Sequence, residues 1–282
     1  MSFRTISPTI TFAVLGDSAA SGVGDSDREG VNRGWSFYLA NAFHQPLTYI
    51  NVSRPGAKSA EVRHVQLERI LASSPDITAV IVGGNDVLRN GFDPQAIYHH
   101  LRETTQILKS AHSEVLLLQL HDPTQIVPLP KLLARVLRRR INALNAITLS
   151  IANEFNAIML ETREIENVYE GSNWHVDRMH PSKIGHQMLA AHFRELLVER
   201  RWKLAPVVVE TRRPTSRMKS LIWMMRHGTP WFLKRSIDLL PAAFYLSICE
   251  GIRMITGRNH EESFELEIVR QFRAQEAQLL AS

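Results

Sequence analysis

Four short segments of the 282-residue chain carry the groups that acyl transfer requires. Gly16-Asp17-Ser18 places a serine directly after a short apolar run, and Asp177-Arg178-Met179-His180-Pro181 places a carboxylate three residues ahead of an imidazole. Between them lie a glycine in Pro55-Gly56 and an amide in Gly83-Gly84-Asn85-Asp86. A serine hydroxyl is a poor nucleophile until a base takes its proton. His180 is a candidate base, because imidazole titrates near neutral pH. At a spacing of three, one turn can bring the Asp177 carboxylate to the same side, where it would hold the imidazole tautomer and stabilise the imidazolium. The tetrahedral intermediate also needs hydrogen-bond donors for its oxyanion. The backbone N–H groups of Ser18 and Gly56 and the side-chain amide of Asn85 can supply three, each worth about 3 kcal/mol of transition-state stabilisation. Glycine at 56 would let the backbone come close to the substrate.

These segments are far apart in the chain, so a fold must gather them. Residues 10–15 form an apolar run that stops at Gly16 and reads as a buried strand. Residues 47–52, 77–82, 115–120 and 157–160 read as four more. Helices are expected over 33–43, from an N-cap at Ser59 to about Ala72, from Asp93-Pro94 to about Ser110, over 131–154, and from Pro181 to about Val198. Apolar, non-alternating strands joined by helical crossovers predict a parallel sheet covered on both faces. The expected fold class is therefore a three-layer α/β/α domain with a five-stranded parallel sheet in flavodoxin-like order. In such sheets ligands bind at the carboxyl ends of the strands, which is where all four segments fall.

On these four blocks, Gly-Asp-Ser-Ala-Ala-Ser-Gly around Ser18, Gly56, Gly-Gly-Asn-Asp around Asn85 and Asp-x-x-His-Pro ending at His180, the chain resembles the SGNH (GDSL-type) hydrolases over roughly residues 10–198. The resemblance implies a cofactor-free, metal-free serine esterase, lipase, thioesterase or deacetylase. The Gly-x-Ser-x-Gly elbow of the α/β-hydrolases does not fit, because Ala20 follows Ser18-Ala19. His175 is the rival base, without the Asp-x-x-His-Pro setting. Asp17 is read as a hydrogen-bonder that shapes the loop, Asp86 as a cap or loop anchor, and His186 and His192 as packed or solvated helix residues. The run Arg135, Arg138, Arg139, Arg140 is read as a solvated helix face rather than a nucleic-acid site, since no nucleic-acid motif accompanies it. Asp25, Asp27 and Glu29 read as a turn, in preference to a metal site of no recognised spacing.

Beyond about residue 204 the composition changes, so the expected division is a hydrolase domain over 1–204 and a helical extension over 205–282. Between Lys203 and Arg235 there are eight basic residues against one acidic residue, Glu210, with Trp223, Met224, Met225, Trp231 and Phe232 interleaved. Basic side chains and aromatics together suit an anionic lipid surface. Residues 212–255 are thus expected either to pack on the core, to meet a membrane peripherally, or to form a lid over Ser18. A lipid-type acyl ester is the favoured substrate, with sugar deacetylation and thioester cleavage left open. A membrane-surface binding protein on a hydrolase scaffold is the competing class. The net charge is +5, the residues are 44% hydrophobic, and the single cysteine, Cys249, rules out an intrachain disulfide. The Met1–Pro8 segment has no long apolar stretch, and a lone thiol suits a reducing compartment, so a cytoplasmic location is expected. No run reaches the ~20 apolar residues of a membrane span.

Overall fold

The computed structural model describes residues 9–210 other than Asn90 and Pro128, together with Ile248, Arg270, Gln271 and Ala274. The expected C-terminal helices and the basic segment 212–255 therefore lie almost wholly outside the described residues. Five strands, β1 (Ile10–Gly16), β2 (Leu47–Asn51), β3 (Ile77–Ile81), β4 (Glu114–Leu118) and β5 (Ile158–Leu160), form one parallel sheet in the order β2-β1-β3-β4-β5. This is the flavodoxin-like order, and its switch point lies between β1 and β3.

Among residues 9–210, six helices cover the sheet: α1 (Gly34–Ala40), α2 (Ser59–Glu61, Val62–Gln66 and Leu67–Leu71 in succession), α3 (Gly84–Leu88), α4 (Pro94–Ser110), α5 (Lys131–Glu154) and α6 (Lys183–Glu199). The two faces of the sheet are both apolar, as a doubly covered parallel sheet requires. On one face Leu15, Val80 and Leu117 meet Ile70 of α2, Leu108 of α4 and Ile147 of α5. On the other, Phe12, Val14 and Ile81 meet Trp35 of α1 and Phe193 of α6, whose rings lie 4.7 Å apart. After Leu204 the main chain continues along α6, where Glu210 N–H donates to Gln187 Oε1 at 2.9 Å.

Some boundaries differ from expectation for local reasons. Ser59 is not an N-cap. It is the first residue of α2, behind Lys58, and its hydroxyl donates to Asp86 instead. The middle turn of α2, Val62–Gln66, is a π-turn, which no periodicity argument anticipates. The α6 helix starts at Lys183 rather than Pro181, because the Ser182 hydroxyl accepts from Gly185 N–H and is the cap. Asp93 caps α4 as expected, accepting from Gln95 and Ala96 N–H. The α3 turn has no signature in the sequence, because five residues give too short a pattern to recognise.

Candidate active site

The nucleophile candidate is held by the end of β1. Gly16 has φ +143°, and a Cβ there would lie 2.0 Å from the Ile81 carbonyl oxygen, so only glycine fits where the chain leaves the sheet. A buried glutamine of α2 completes the strand end. Gln66 Oε1 accepts from Gly16 N–H at 2.7 Å, while its Nε2 donates to Gly16 O at 3.0 Å. Asp17 is buried, accepts from Ala19 N–H at 3.0 Å, and its own N–H donates to Ile81 O. Burial pushes its carboxyl up to about 6, against the opposing pull of the Ala19 N–H and the His180 charge. Asp17 thus shapes the loop, and Ser18 follows in the turn.

The base and acid candidates come from one closed loop. Trp174 and Pro181 pair as an isolated antiparallel bridge, and His175 N–H donates to His180 O at 2.8 Å. Within it, Asp177 Oδ1 accepts from the N–H groups of Met179 and His180, at 2.9 and 3.0 Å. Its Oδ2 lies 2.8 Å from His180 Nδ1, and His180 Nε2 lies 2.8 Å from Ser18 Oγ. With Nδ1–H donating to the carboxylate, Nε2 is left to accept the serine proton. His175 Nδ1 lies 3.3 Å from the same Oδ2. It is His180 that reaches Ser18. Burial opposes the charge of Asp177, but hydrogen bonds from His175 and His180 outweigh it and hold the carboxyl well below the usual carboxylate range.

Gly56 and Asn85 are brought to the same edge of the sheet. Gly56 has φ +88° and follows β2, and among the described residues a Cβ there would meet nothing closer than Arg89 Nη2 at 3.7 Å. Among the described residues neither the Ser18 nor the Gly56 N–H donates to an acceptor. Asn85, in the first turn of α3, donates one amide N–H to Ala57 O at 3.1 Å, which ties the Gly56 turn to α3. Asp86 anchors the same turn by accepting from Ser59 N–H and Oγ–H, at 3.1 and 2.9 Å.

Beside Ser18 and His180 lies a cavity of about 620 Å³. Its walls include Leu120, Val127, Leu129, Leu133, Val136 and Leu137, from the β4–α5 connection and the first turns of α5. His121 also lines it, packed against Trp174 with the rings tilted by 42° and their centroids 4.0 Å apart, and burial holds its imidazole neutral, down to about 3.

Residues 14–188 match the family described as GDSL-like lipase/acylhydrolase. The chain belongs to that family. It is therefore a GDSL-type hydrolase acting on ester bonds. It is 29% identical over 181 residues to thioesterase 1/protease 1/lysophospholipase L1 of Escherichia coli (strain K12), covering 64% of this chain and 79% of that protein. Among solved structures it resembles Axe2, an acetylxylan esterase from Geobacillus stearothermophilus, with a TM-score of 0.54 and 20% identity over 67% of this chain and 94% of that one. It also resembles the psychrotrophic esterase EstA from Pseudoalteromonas sp., with a TM-score of 0.53 and 18% identity over 67% and 97%. Among the described residues no helix is long and apolar enough to cross a membrane.

Other residues singled out in the sequence fall outside the site or take different parts. His186 is fully buried in α6, where Nδ1 accepts from Trp35 N–H at 3.2 Å and Nε2 lies 3.0 Å from Val23 O. His192 lies 3.5 Å from Glu195. Asp27 accepts from Glu29 and Val31 N–H and Asp25 from Tyr38 O–H, so both carboxylates build the loop before α1. The arginine run is not one solvated face. Arg140 is buried, donates to Val87 O and Arg89 O at 3.0 and 3.1 Å, and stacks over Phe92. Arg138 pairs with Asp122 at 3.2 Å. Gln66 belongs to none of the sequence motifs. Its signal was a polar residue among Val62, Leu67 and Ile70, the buried stripe of its helix.

Proposed function

We propose that the chain is a serine esterase for substrates with an apolar acyl chain, working through a Ser18 acyl-enzyme. The observation that carries this reading is the line Asp177–His180–Ser18, two contacts of 2.8 Å each, set beside an apolar cavity. Ser18 Oγ attacks the acyl carbon while its proton passes to His180 Nε2. The N–H groups of Ser18 and Gly56 and the Asn85 amide receive the oxyanion. Collapse breaks the ester C–O bond, and His180 returns the proton to the departing alcohol. Water, activated by the same imidazole, then releases the acid.

The leucine and valine walls favour a long acyl group over acetate, because each buried methylene contributes about 0.8 kcal/mol. The E. coli relative's names, thioesterase and lysophospholipase, agree with an acyl-chain pocket. A thiol leaving group would suit the same site, and a sugar acetate would leave the cavity unfilled. We further propose that residues 205–282 form an extension to the hydrolase domain, with 212–255 meeting a membrane peripherally.

The test is a series of p-nitrophenyl esters from acetyl to dodecanoyl, below micelle-forming concentrations. The kcat/KM value should rise by up to about fourfold per methylene through the middle of the series. Ser18→Ala should lower kcat by about 10⁶-fold and Asp177→Asn by about 10⁴-fold. A preference for acetate sinks the acyl-chain assignment, and turnover by Ser18→Ala equal to wild type sinks the nucleophile.

A further inference from the structure

The esterase reading accounts for Ser18, His180, Asp177 and the apolar wall but not for one cation beside them. Arg89 lines the same cavity, is exposed, and points Nη2 to within 3.7 Å of the Cβ position of Gly56. Arg54, which also flanks Gly56, is bound to Glu61. Arg33, Arg63, Arg102 and Arg138 likewise each have a carboxylate partner. Arg89 has none among the described residues. Its main chain is nevertheless pinned, because its carbonyl accepts from the buried Arg140. Among the described residues, then, no carboxylate pairs with this guanidinium, and its main chain is anchored next to the proposed oxyanion site.

We propose that Arg89 is a specificity-determining residue that binds an anionic group on the alcohol portion of the substrate, so that esters of phosphate-bearing alcohols are favoured. The inference rests on the esterase reading above. An apolar acyl chain fills the leucine and valine wall, and a charged head cannot follow it there without losing its hydration. The head must stay near solvent, where the exposed Arg89 stands. A guanidinium suits phosphate through paired, charge-assisted N–H···O bonds, and it stays charged at every working pH.

The experiment compares 1-octanoylglycerol 3-phosphate with 1-octanoylglycerol, on the full chain and below micelle-forming concentrations. Wild-type protein should favour the phosphate ester in kcat/KM by about tenfold, as expected for a charge-assisted contact at an exposed site. The ratio should shrink as salt is raised from 0.05 to 0.5 M, because exposed charges are screened. Arg89→Ala should bring the ratio near one, and Arg89→Lys should restore part of it, since lysine keeps the charge without the fork. A wild-type ratio near one overturns the inference. So does an Arg89→Ala protein in which both esters slow equally, for that marks a residue supporting the site rather than reading the head. Turnover of neither ester by wild type removes the esterase reading and this inference with it, whereas turnover of the neutral ester alone removes only the inference.

Discussion

Gln66→Met tests whether the position of Ser18, the proposed nucleophile, depends on a side chain borrowed from a neighbouring helix. In the wild type both polar atoms of the buried Gln66 amide are used on Gly16, one accepting from its N–H and one donating to its carbonyl. Gly16 O keeps a second donor, Arg54 N–H at 3.1 Å, so it remains satisfied after the substitution. The Gly16 N–H does not. A buried donor left without an acceptor costs about 1–3 kcal/mol, and the second lost hydrogen bond adds about 1 kcal/mol. Methionine matches the glutamine stem in length and gains about 1 kcal/mol from placing an apolar end in an apolar site. The expected net loss is about 2 kcal/mol, read as a lower urea midpoint with unchanged slope, or as a Tm lower by about 4–8 °C. Because Gly16 leads through Asp17 into Ser18, kcat should fall by about tenfold or more as the hydroxyl leaves its 2.8 Å contact with His180. Stability within about 0.5 kcal/mol of wild type, together with unchanged kcat, would refute the idea that this bridge positions the serine.

The buried His186 makes stability depend on pH. Its Nδ1 accepts from Trp35 N–H, which requires the neutral ring, and burial lowers its pKa from the ordinary 6.5 to about 4. The unfolded chain therefore binds more protons than the folded one between those values, so stability is present above 6.5 and is lost as pH falls towards 4, by up to about 1.4 kcal/mol per pH unit. Urea titrations at pH 7, 5.5 and 4.5 should show a shallower decline in His186→Asn than in wild type; equal declines would contradict it. For the C-terminal segment, the full chain should float with liposomes containing anionic lipid, and Trp223→Ala with Trp231→Ala should weaken that binding severalfold. Flotation that does not respond to the two substitutions removes the aromatic residues as the anchor.

What could be read from residues alone follows a physical division. The sheet was legible because each strand is a short, unbroken apolar run ending in a turn, and the crossover helices are long enough to show a 3.6-residue period. The shared neighbourhood of Ser18, Gly56, Asn85, Asp177 and His180 was legible because the strand ends of a parallel sheet share one edge. The misses are side chains whose role depends on a partner from another element. Gln66 binds Gly16, 50 residues away, Ser59 turns from capping its own helix to bind Asp86, and Arg140 leaves solvent to hold the carbonyls of Val87 and Arg89. Each broke a local rule in the sequence: a glutamine in a buried stripe, a serine at a helix start without its capping bond, an arginine on a face that must pack. A polar residue that defies its local pattern must find a partner when buried, and here the partners of all three lie in or next to the Ser18 and Asn85 segments. Those violations therefore mark the supports of the candidate site, just as the four motif blocks mark its proposed reacting groups.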